Sequence, residues 1–409
     1  VAPTPADARI HALDALRGVA LLGIAWANVR QLFMPWEIGN FPVSFGANAT
    51  LANLDWQVFH AFVDLKFLTL FSLLFGVGFA LQSEHVAARG GGFNALYLRR
   101  VGILALFGLA HGVLLYPAEV LMPYAIAGLI LLAAQRLSTD NLLRTGLVLL
   151  GISTLWGYEL GGLGRVHVGI TVTALMLFIL AVATLWRRSW LLALTAWAAI
   201  LLAAGAAVTL SFDESARGAR VAQEYLAAQG QLTAIVAGSS SEWPEEFSVR
   251  RAGSFAALLS LHAGQYGLIL LYFALVLLWR TLGLFMIGAG IFRSGVLERA
   301  TPQTWRRVMR IALSIGLPLS ILATWLHWRE IQGELDWRWP EFLHSFGALP
   351  LAAGVAAAVF ALYASGRVSA GMSSWIWARI EAAGRMALTN YVGQSFVMAA
   401  IAESWGLNL

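Results

Sequence analysis

The sequence has no cysteine, a single lysine and few charged residues of either sign. Charged residues make up 12% of its 409 residues, against about 25% in a soluble globular protein. This low charge excludes a soluble enzyme and a disordered chain. The absence of cysteine excludes disulfides, a thiolate nucleophile and a Cys-ligated metal. The eight histidines show no HxxH or HExxH spacing, so no metal centre is expected. The basic residues form no run or face, so a nucleic-acid partner is not expected either.

Apolar residues dominate what is present. They make up 59% of the chain, and the mean hydropathy is +0.71. A membrane span needs about 20 mostly apolar residues, and the sequence predicts an all-α, polytopic transmembrane bundle of about eleven spans. The fourth and fifth are short, which is typical of tilted or partly re-entrant segments. The predicted spans are 16–34, 62–82, 98–116, 120–135, 142–157, 166–186, 190–210, 268–292, 309–327, 345–365 and 384–402.

The arginines predict the orientation of these spans. They cluster in alternate loops, and the opposite short loops have few basic residues. Since basic loops stay in the cytoplasm, we expect a cytoplasmic N-terminus. Residues 1–13 are polar, so no cleavable signal peptide is expected.

One long polar loop divides the predicted bundle. A seven-helix region, 1–210, precedes an extracytoplasmic loop, 211–266, and a four-helix region, 267–409, follows it. The front of the loop, 214–236, has the pattern of an amphipathic helix. Four spans after the loop predict a further helix beyond Leu409.

The first span carries polar residues at its start and deeper along the helix. Asp14 and Arg17, in the motif LDALRG, share one helix face through their i, i+3 spacing. They form either a helix cap and a positively charged anchor, or a cationic site for a phosphate-rich donor. Arginine suits the second role because its planar guanidinium binds phosphate through a fork of N–H donors. Asn28 lies about 16 Å further along the same helix. It provides either an interhelical hydrogen bond or a site residue.

Lys66 and Arg280 are cations within predicted spans. Lys66 is the only lysine, beside Asp64 at the start of span two. It is either an interfacial anchor or a residue whose compact charge arginine cannot replace. Arg280, near the middle of span eight, needs a counter-ion. Glu119, Asp64 and an anionic substrate are the candidates, for either a structural ion pair or a binding site.

His111 and Glu119 form the most reactive-looking pair of the sequence. They lie on opposite limbs of a predicted hairpin with Pro117 between them. A carboxylate beside a histidine is a plausible general-base arrangement. The alternative is a buried histidine that donates to a backbone carbonyl. His60, just before span two, is expected on the same side, where it could join the pair or lie at the interface.

The segment GRMALTNYVGQS, 384–395, carries a polar stripe. Arg385 begins the predicted span. The stripe, with Tyr391 beside it, consists of Thr389, Asn390, Gln394 and Ser395. Such a stripe must face other helices or a water-filled cavity. The stripe is compatible both with helix packing and with the lining of a site.

Several segments together resemble the YeiB family of bacterial inner-membrane proteins. They are LDALRGVALLGIAWANV at 13–29, LKFLTLFSLLFGVG at 65–78, GLAHGVLLY with EVLMPYAIAGLI, LGLFMIGAGIFRSG at 282–295, and GRMALTNYVGQS. The resemblance runs along almost the whole chain. It implies a further helix after the last span.

The YeiB group in turn resembles transmembrane acyltransferases, among them heparan-α-glucosaminide N-acetyltransferase, through a first helix of the form LDxxRG. That resemblance implies an acyl-CoA donor and transfer to an acceptor, usually a sugar, across the membrane. The relative with Asn at the position of Asn28 uses a histidine after its first helix. Phe33 to Trp36 contain none, so His60 or His111 would supply the base. Arg17, Arg99 and Arg100 would bind the donor phosphates. Asn28 or Lys66 would stabilise the oxyanion that develops during the reaction.

Three functions therefore stay open. The leading one is an acyltransferase acting across the inner membrane, without a metal. The others are a transporter or flippase for a small molecule or lipid-linked intermediate, and a non-catalytic assembly partner. The expected partners are membrane lipids and a sugar or lipid-linked acceptor, and a homodimer is compatible with the sequence.

Overall fold

The computed structural model describes residues 11–33, 49–157, 249–250, 253–331, 339–366, 368 and 371–407. In these ranges the chain is all-helical. A 3₁₀ turn, Ala134–Arg136, follows α5, and a π-helical turn, Phe273–Leu277, joins α7 to α8. The helices are α1 His11–Phe33, α2 Ala49–Phe62, α3 Lys66–Ala88, α4 Phe93–Leu114, α5 Leu121–Ala133, α6 Thr139–Gly157, α7 Phe255–Tyr272, α8 Leu278–Arg293, α9 Val296–Arg299, α10 Pro302–Ile331, α11 Trp339–Ala364, α12 Gly371–Arg385 and α13 Ala387–Ala402.

Within the described ranges, six helical segments are long and apolar enough to cross a membrane. They are His11–Phe33, Asn53–Ala88, Phe93–Leu114, Phe255–Tyr272, Pro302–Glu330 and Leu343–Ala364. All of them carry long apolar side chains on their exposed faces as well as inside, as expected for helices with lipid around them. The chain is therefore a helical membrane protein.

The core of the bundle is built around α8. Most of its residues are buried, including Leu282, Phe285 and Met286, and it packs on α3, α5 and α6. Glycine permits the close approach of α3. A Cβ on Gly76 would overlap the carbonyl oxygen of Phe285, and one on Gly288 that of Leu73. Small residues at such crossings let helix backbones approach in a membrane.

The bundle has two distinct ends. Helices α1 and α3 are antiparallel, since Gly23 packs against Phe67 while Arg17 lies beside Gly78. The start of α1 and the end of α3 form one end, here called the Arg17 end. The start of α3 and the end of α1 form the other, the Lys66 end. Along α3 these ends are separated by about 18 Å of helical rise.

The structure differs from the predicted spans at several boundaries. Helix α7 begins at Phe255, inside the range 211–266 predicted as a polar loop, and continues through the π turn into α8. The last predicted span, 384–402, is divided at Met386 between α12 and α13. The predicted spans 166–186 and 190–210 and the amphipathic segment 214–236 lie outside the described residues.

Candidate functional site

A group of charged side chains and imidazoles lies at the Lys66 end, where α2 joins α3. The chain turns there through Leu65, which has a left-handed backbone conformation with φ 60° and no glycine to relieve it. Such a conformation costs about 1–3 kcal/mol in a non-glycine residue and is often kept at functional sites. The turn places Asp64 and Lys66 on the two sides of this junction. We call His60, Asp64, Lys66, Arg280 and His344 the Lys66 cluster.

Lys66 is held inside the bundle by two elements. Its side chain is buried, and Nζ donates to the backbone carbonyl of His60 over 2.7 Å and lies 3.1 Å from Nδ1 of His344. His344, on α11, also bonds through Nε2 to Oδ2 of Asp64 over 3.0 Å. The side chain of Asp64 is 41% exposed. The carboxylate is thus accessible from outside the cluster, while the ammonium and the imidazole are not.

The tautomer of His60 follows from its neighbours. Its Nδ1 lies 2.8 Å from Oγ1 of Thr324, and that hydroxyl donates its proton to the carbonyl of Ser320 over 2.8 Å. Oγ1 is therefore the acceptor, and Nδ1 of His60 must carry the proton. In a neutral imidazole the Nε2 atom then has the lone pair. His60 also stacks on His344, with ring centroids 3.9 Å apart.

Arg280 completes the cluster from the central helix. Its guanidinium donates to Oγ1 of Thr69 over 3.0 Å and to the carbonyl of Ser345 over 3.4 Å. Of the two carboxylates proposed as its counter-ion, Asp64 is near enough to attract it. No hydrogen bond joins Arg280 to Glu119 among the described residues.

Sequence reasoning found three of the five members as site candidates and missed His344. It named Asp64 only as a neighbour of Lys66 and a counter-ion. His344 and Lys66 are separated by 278 positions in the chain, so no local spacing links them. A usable signal was present, because His344 is an ionisable residue at the edge of the predicted span 345–365, and such residues are functional candidates by default.

A second polar region at the same end, formed by α1, α4, α13 and the α4–α5 turn, contains several of the other sequence candidates. The ring of His111 lies 5.0 Å from that of Tyr391 and 6.2 Å from that of Tyr116. Tyr116 donates to Gln31, one turn beyond Asn28 on α1. We call Asn28, His111, Tyr116, Glu119 and Tyr391 the His111 layer.

The carboxylate of Glu119 caps the backbone at the start of α5. Its carboxylate accepts the amide protons of Leu121 and Met122, at the start of α5, and the hydroxyl proton of Tyr266 over 3.0 Å. A carboxylate in this position caps a helix N-terminus. Burial raises the pKa of Glu119 to about 7, against the lowering effect of these hydrogen bonds.

His111 and Glu119, the pair that the sequence suggested could meet across the hairpin, are not joined by a hydrogen bond in the structure. Both nitrogens of His111 are buried and find no hydrogen-bond partner in the described part of the chain, and the same holds for Nδ2 of Asn28. His60 does not join His111 either, because Thr324 and His344 hold it in the Lys66 cluster. The structure thus places the three proposed catalytic residues in two groups, and the imidazole that lacks partners is His111, which is 2% exposed.

The predicted donor residues lie at the Arg17 end. Arg17 is half-buried and donates to Asp14 over 2.7 Å, and Arg99 and Arg100 are exposed at the start of α4. Arg385 pairs with Glu381 over 3.5 Å, and Asn390 donates to the carbonyl of Ala383 over 3.0 Å. Asn390 therefore has a local backbone partner at the α12–α13 bend. Further along α13, Gln394 has a buried Oε1 that meets no hydrogen-bond donor among the described residues.

A third buried pair was not predicted. Nε2 of His262, on α7, lies 3.1 Å from Oε1 of Glu403, just after α13, and both side chains are fully buried. The other carboxylate oxygen accepts the indole proton of Trp405 over 2.7 Å. His262 lies one turn from Tyr266, which reaches Glu119, so this pair adjoins the His111 layer.

These features define the class of protein: an all-helical membrane protein with ionisable residues buried in its bundle. A family profile described as "Protein of unknown function (DUF418)" matches residues 291–409. The chain is 28% identical to "Uncharacterized protein YeiB" of Escherichia coli (strain K12) over 405 residues, 97% of this chain and 84% of that protein. Together these matches support the assignment of the chain to the YeiB family.

Two shorter similarities are consistent with this assignment. The chain is 35% identical over 147 residues to "Uncharacterized protein YxaH" of Bacillus subtilis (strain 168), covering 34% of the chain and 36% of that protein. It is 36% identical over 148 residues to an "Uncharacterized 39.9 kDa protein in amylase 3'region" of Bacillus acidopullulyticus, covering 36% and 40%. No solved structure matches the chain.

Proposed function

We propose that this protein is an acyltransferase of the bacterial inner membrane, which moves an acyl group from cytosolic acyl-CoA to an extracytoplasmic hydroxyl or amine. The observation that carries the proposal is His111. Its imidazole is buried, and among the described residues neither of its nitrogens has a hydrogen-bond partner. A buried polar group without a partner costs about 1–3 kcal/mol, and a substrate hydroxyl or amine would supply the missing partner.

The placement of the arginines supports the orientation that this function needs. The Arg17 end carries Arg99, Arg100 and Arg385, and α8 and α10 add more arginines at their adjoining ends. By the positive-inside rule this end faces the cytoplasm. The His111 layer then faces outward, and the cytosolic donor and the external acceptor approach opposite ends.

The residues of the two ends have complementary roles in this reaction. Arg17 binds donor phosphates, and the long pantetheine arm extends toward Asn28, about 16 Å along α1. His111 accepts the proton of the acceptor as the acceptor attacks the thioester carbonyl. Asn28, through its unpartnered Nδ2, donates to the oxyanion. The C–S bond then breaks, the acyl group stays on the acceptor, and coenzyme A leaves as the thiolate.

Acetyl-CoA turnover tests the proposal. We expect the purified protein in nanodiscs to bind and slowly hydrolyse acetyl-CoA, and His111→Gln to lower turnover by at least about 100-fold, the usual contribution of a general base. His85→Gln is the matched control, because the hydrogen bond that the described residues give His85 goes to the carbonyl of Leu81 within α3. Absence of acetyl-CoA binding, or full turnover in His111→Gln, would contradict the proposal.

A transporter is the second candidate, favoured by the Lys66 cluster. Charged groups inside a membrane bundle often line the path of an ion or a proton. Lys66 and Arg280 are both buried beside the outward-accessible Asp64. Solute uptake into proteoliposomes without acetyl-CoA binding would favour this function over acyl transfer.

A further inference from the structure

Lys66 is the inner end of a series of hydrogen-bonding groups that begins at the surface. Oδ2 of Asp64 lies 3.0 Å from Nε2 of His344, and Nδ1 of the same ring lies 3.1 Å from Nζ of Lys66. The side chain of Asp64 is 41% exposed, whereas His344 is 1% and Lys66 3% exposed. The imidazole therefore connects a carboxylate that water reaches with an amino group inside the bundle.

The protons along this series can be assigned from the ammonium group of Lys66. An ammonium has three donors and no acceptor, so Nδ1 of His344 accepts a proton from it. In a neutral imidazole the other nitrogen then carries the ring proton, and Nε2 donates it to the carboxylate of Asp64. One nitrogen of the ring is thus an acceptor and the other a donor. An imidazole with both nitrogens engaged in this way can pass a proton from one side of the ring to the other.

His60 holds both partners of this transfer in position. Its ring stacks on His344 with centroids 3.9 Å apart, and its backbone carbonyl accepts a proton from Nζ of Lys66 over 2.7 Å. His60 is itself fixed by the contact of Nδ1 with Oγ1 of Thr324 over 2.8 Å. The ammonium and the imidazole are therefore held within hydrogen-bond reach of each other, which proton transfer between side chains requires.

The two cations of the cluster differ in whether they can release a proton. Arg280 lies near enough to attract Asp64, but a guanidinium is not deprotonated in proteins. Lys66 is the only lysine in the chain, and the other basic side chains are arginines. Lysine, unlike arginine, can exist as a neutral amine inside a protein. The residue at the inner end of the series is therefore of the type that can give up a proton and take it back.

We propose that Asp64, His344 and Lys66 form a proton relay between the water at the Lys66 end and the interior of the bundle. As Lys66 gives a proton to Nδ1 of His344, Nε2 gives its proton to Asp64, which releases it to water. This leaves a neutral amine, a neutral imidazole of the other tautomer and a carboxylate, and protonation of Asp64 from outside reverses the steps. Relays of this kind are common among ionisable residues inside membrane proteins. The relay goes beyond the proposed acyl transfer, because it uses none of the residues of the His111 layer.

A divalent metal is the competing interpretation of this cluster. The ligand atoms of His60, Asp64 and His344 all lie within 4.8 Å of one another, a set of residue types that zinc binds. A metal between Asp64 and His344 would need a lone pair on Nε2 of the imidazole. That nitrogen carries the ring proton as long as Lys66 donates to Nδ1. The contact with Lys66 therefore favours proton transfer over metal binding.

Hydrogen exchange at Lys66 tests the relay, and the single lysine makes the measurement specific. The purified full chain in nanodiscs, labelled with heavy nitrogen at lysine Nζ, gives one side-chain signal by NMR, whose exchange with deuterium oxide is followed. We expect His344→Gln to slow this exchange by at least about tenfold, since a side chain positioned for proton transfer contributes about 10²–10⁴-fold. Glutamine forms hydrogen bonds but does not shuttle protons. His327→Gln is the matched control, because His327 stacks on His60 with centroids 5.2 Å apart and lies outside the relay, so the rate should be unchanged.

The sign of the change separates a relay from a purely structural cluster. If His344 only holds Lys66 in place, its replacement loosens the packing and the exchange becomes faster or stays the same. Asp64→Asn changes the exposed end of the relay and should also slow the exchange, so the test does not depend on the folding of His344→Gln. Unchanged or faster exchange in a folded variant of either residue, or stoichiometric zinc that is lost in His344→Gln, would overturn the proposal. None of these readouts depends on acetyl-CoA turnover.

Discussion

Nε2 of His262 lies 3.1 Å from Oε1 of Glu403, and neither side chain has any exposed surface. This contact joins α7 to the chain just after α13. Ser404 reinforces it, because its amide donates to the carbonyl of Arg250 over 2.8 Å. The pair therefore holds the C-terminal part of the bundle against the helix that leads to Arg280.

Removal of one partner of this pair should be strongly destabilising. His262→Leu leaves Glu403 buried without its imidazole, and we expect a loss of about 3–5 kcal/mol, as for other broken buried pairs. The double variant His262→Leu, Glu403→Leu should recover much of that loss. Chemical unfolding of the four proteins in one detergent measures the coupling. Additive effects of the two substitutions would show that the contact contributes nothing.

Glu119 should make stability depend on pH. Its pKa is raised from 4.5 to about 7 in the folded protein, so the folded state binds the proton more tightly than the unfolded state. The stabilising contribution is complete below about pH 4.5 and is lost as the pH rises to about 7. Glu119→Gln keeps an acceptor for Tyr266 and should flatten this part of the curve of Tm against pH. An unchanged pH profile would rule out Glu119 as its source.

Asn28→Leu should separate stability from activity. Its buried Nδ2 has no hydrogen-bond partner within the described ranges, and leucine has nearly the same shape without a polar group. We expect a gain of about 1 kcal/mol in the free energy of unfolding, since an unsatisfied buried donor is removed, together with loss of acetyl-CoA turnover. A variant that is less stable and fully active would assign Asn28 to packing alone.

Arg17 should contribute to donor affinity. Arg17→Gln is expected to raise the Kd for acetyl-CoA by about tenfold or more, because a charge-assisted contact to phosphate is lost. Arg144→Gln is the matched control: Arg144 is exposed on α6 and has no proposed role in donor binding. Equal Kd values in the two variants, measured by equilibrium dialysis, would remove Arg17 from the donor site.

Gly76→Ala should disrupt the crossing of α3 and α8. The added methyl group would overlap the carbonyl oxygen of Phe285, a backbone atom that moves only with its helix. We expect a loss of about 1–3 kcal/mol from overpacking. Gly102→Ala in α4 meets nothing within 4 Å and should be tolerated. Comparable Tm values for both variants would mean that the crossing is less tight than described.

The sequence predicted the apolar helices well, because each carries its own hydrophobic signal. Helices α1, α3 and α4 lie close to predicted spans for that reason. Helix α2 was not recognised, since it is short and carries Asp55 and His60 among its apolar residues. The start of α7 was missed because polar residues near 255–266 resembled a continuation of the preceding loop.

The candidate site was predictable residue by residue but not as groups. His111, Asn28 and Tyr391 were each notable as polar residues at membrane depth, and the structure brings them to one level of the bundle. Which imidazole lies beside which charge depends on helix packing over long separations. The pairing of His344 with Lys66, and of His262 with Glu403, left no trace in local spacing.

The π turn at Phe273–Leu277 lets one continuous helix contact two different parts of the bundle. A π turn takes up about one extra residue, so its five residues advance about 90° less around the helix axis than five α-helical residues would. Tyr266 faces α4 before the turn, whereas Arg280 faces α3 and α11 after it. In a regular α-helix the fourteen positions from Tyr266 to Arg280 would bring the two side chains to within about 40° of each other around the axis. The π turn therefore directs the tyrosine and the arginine to different neighbours on one continuous helix.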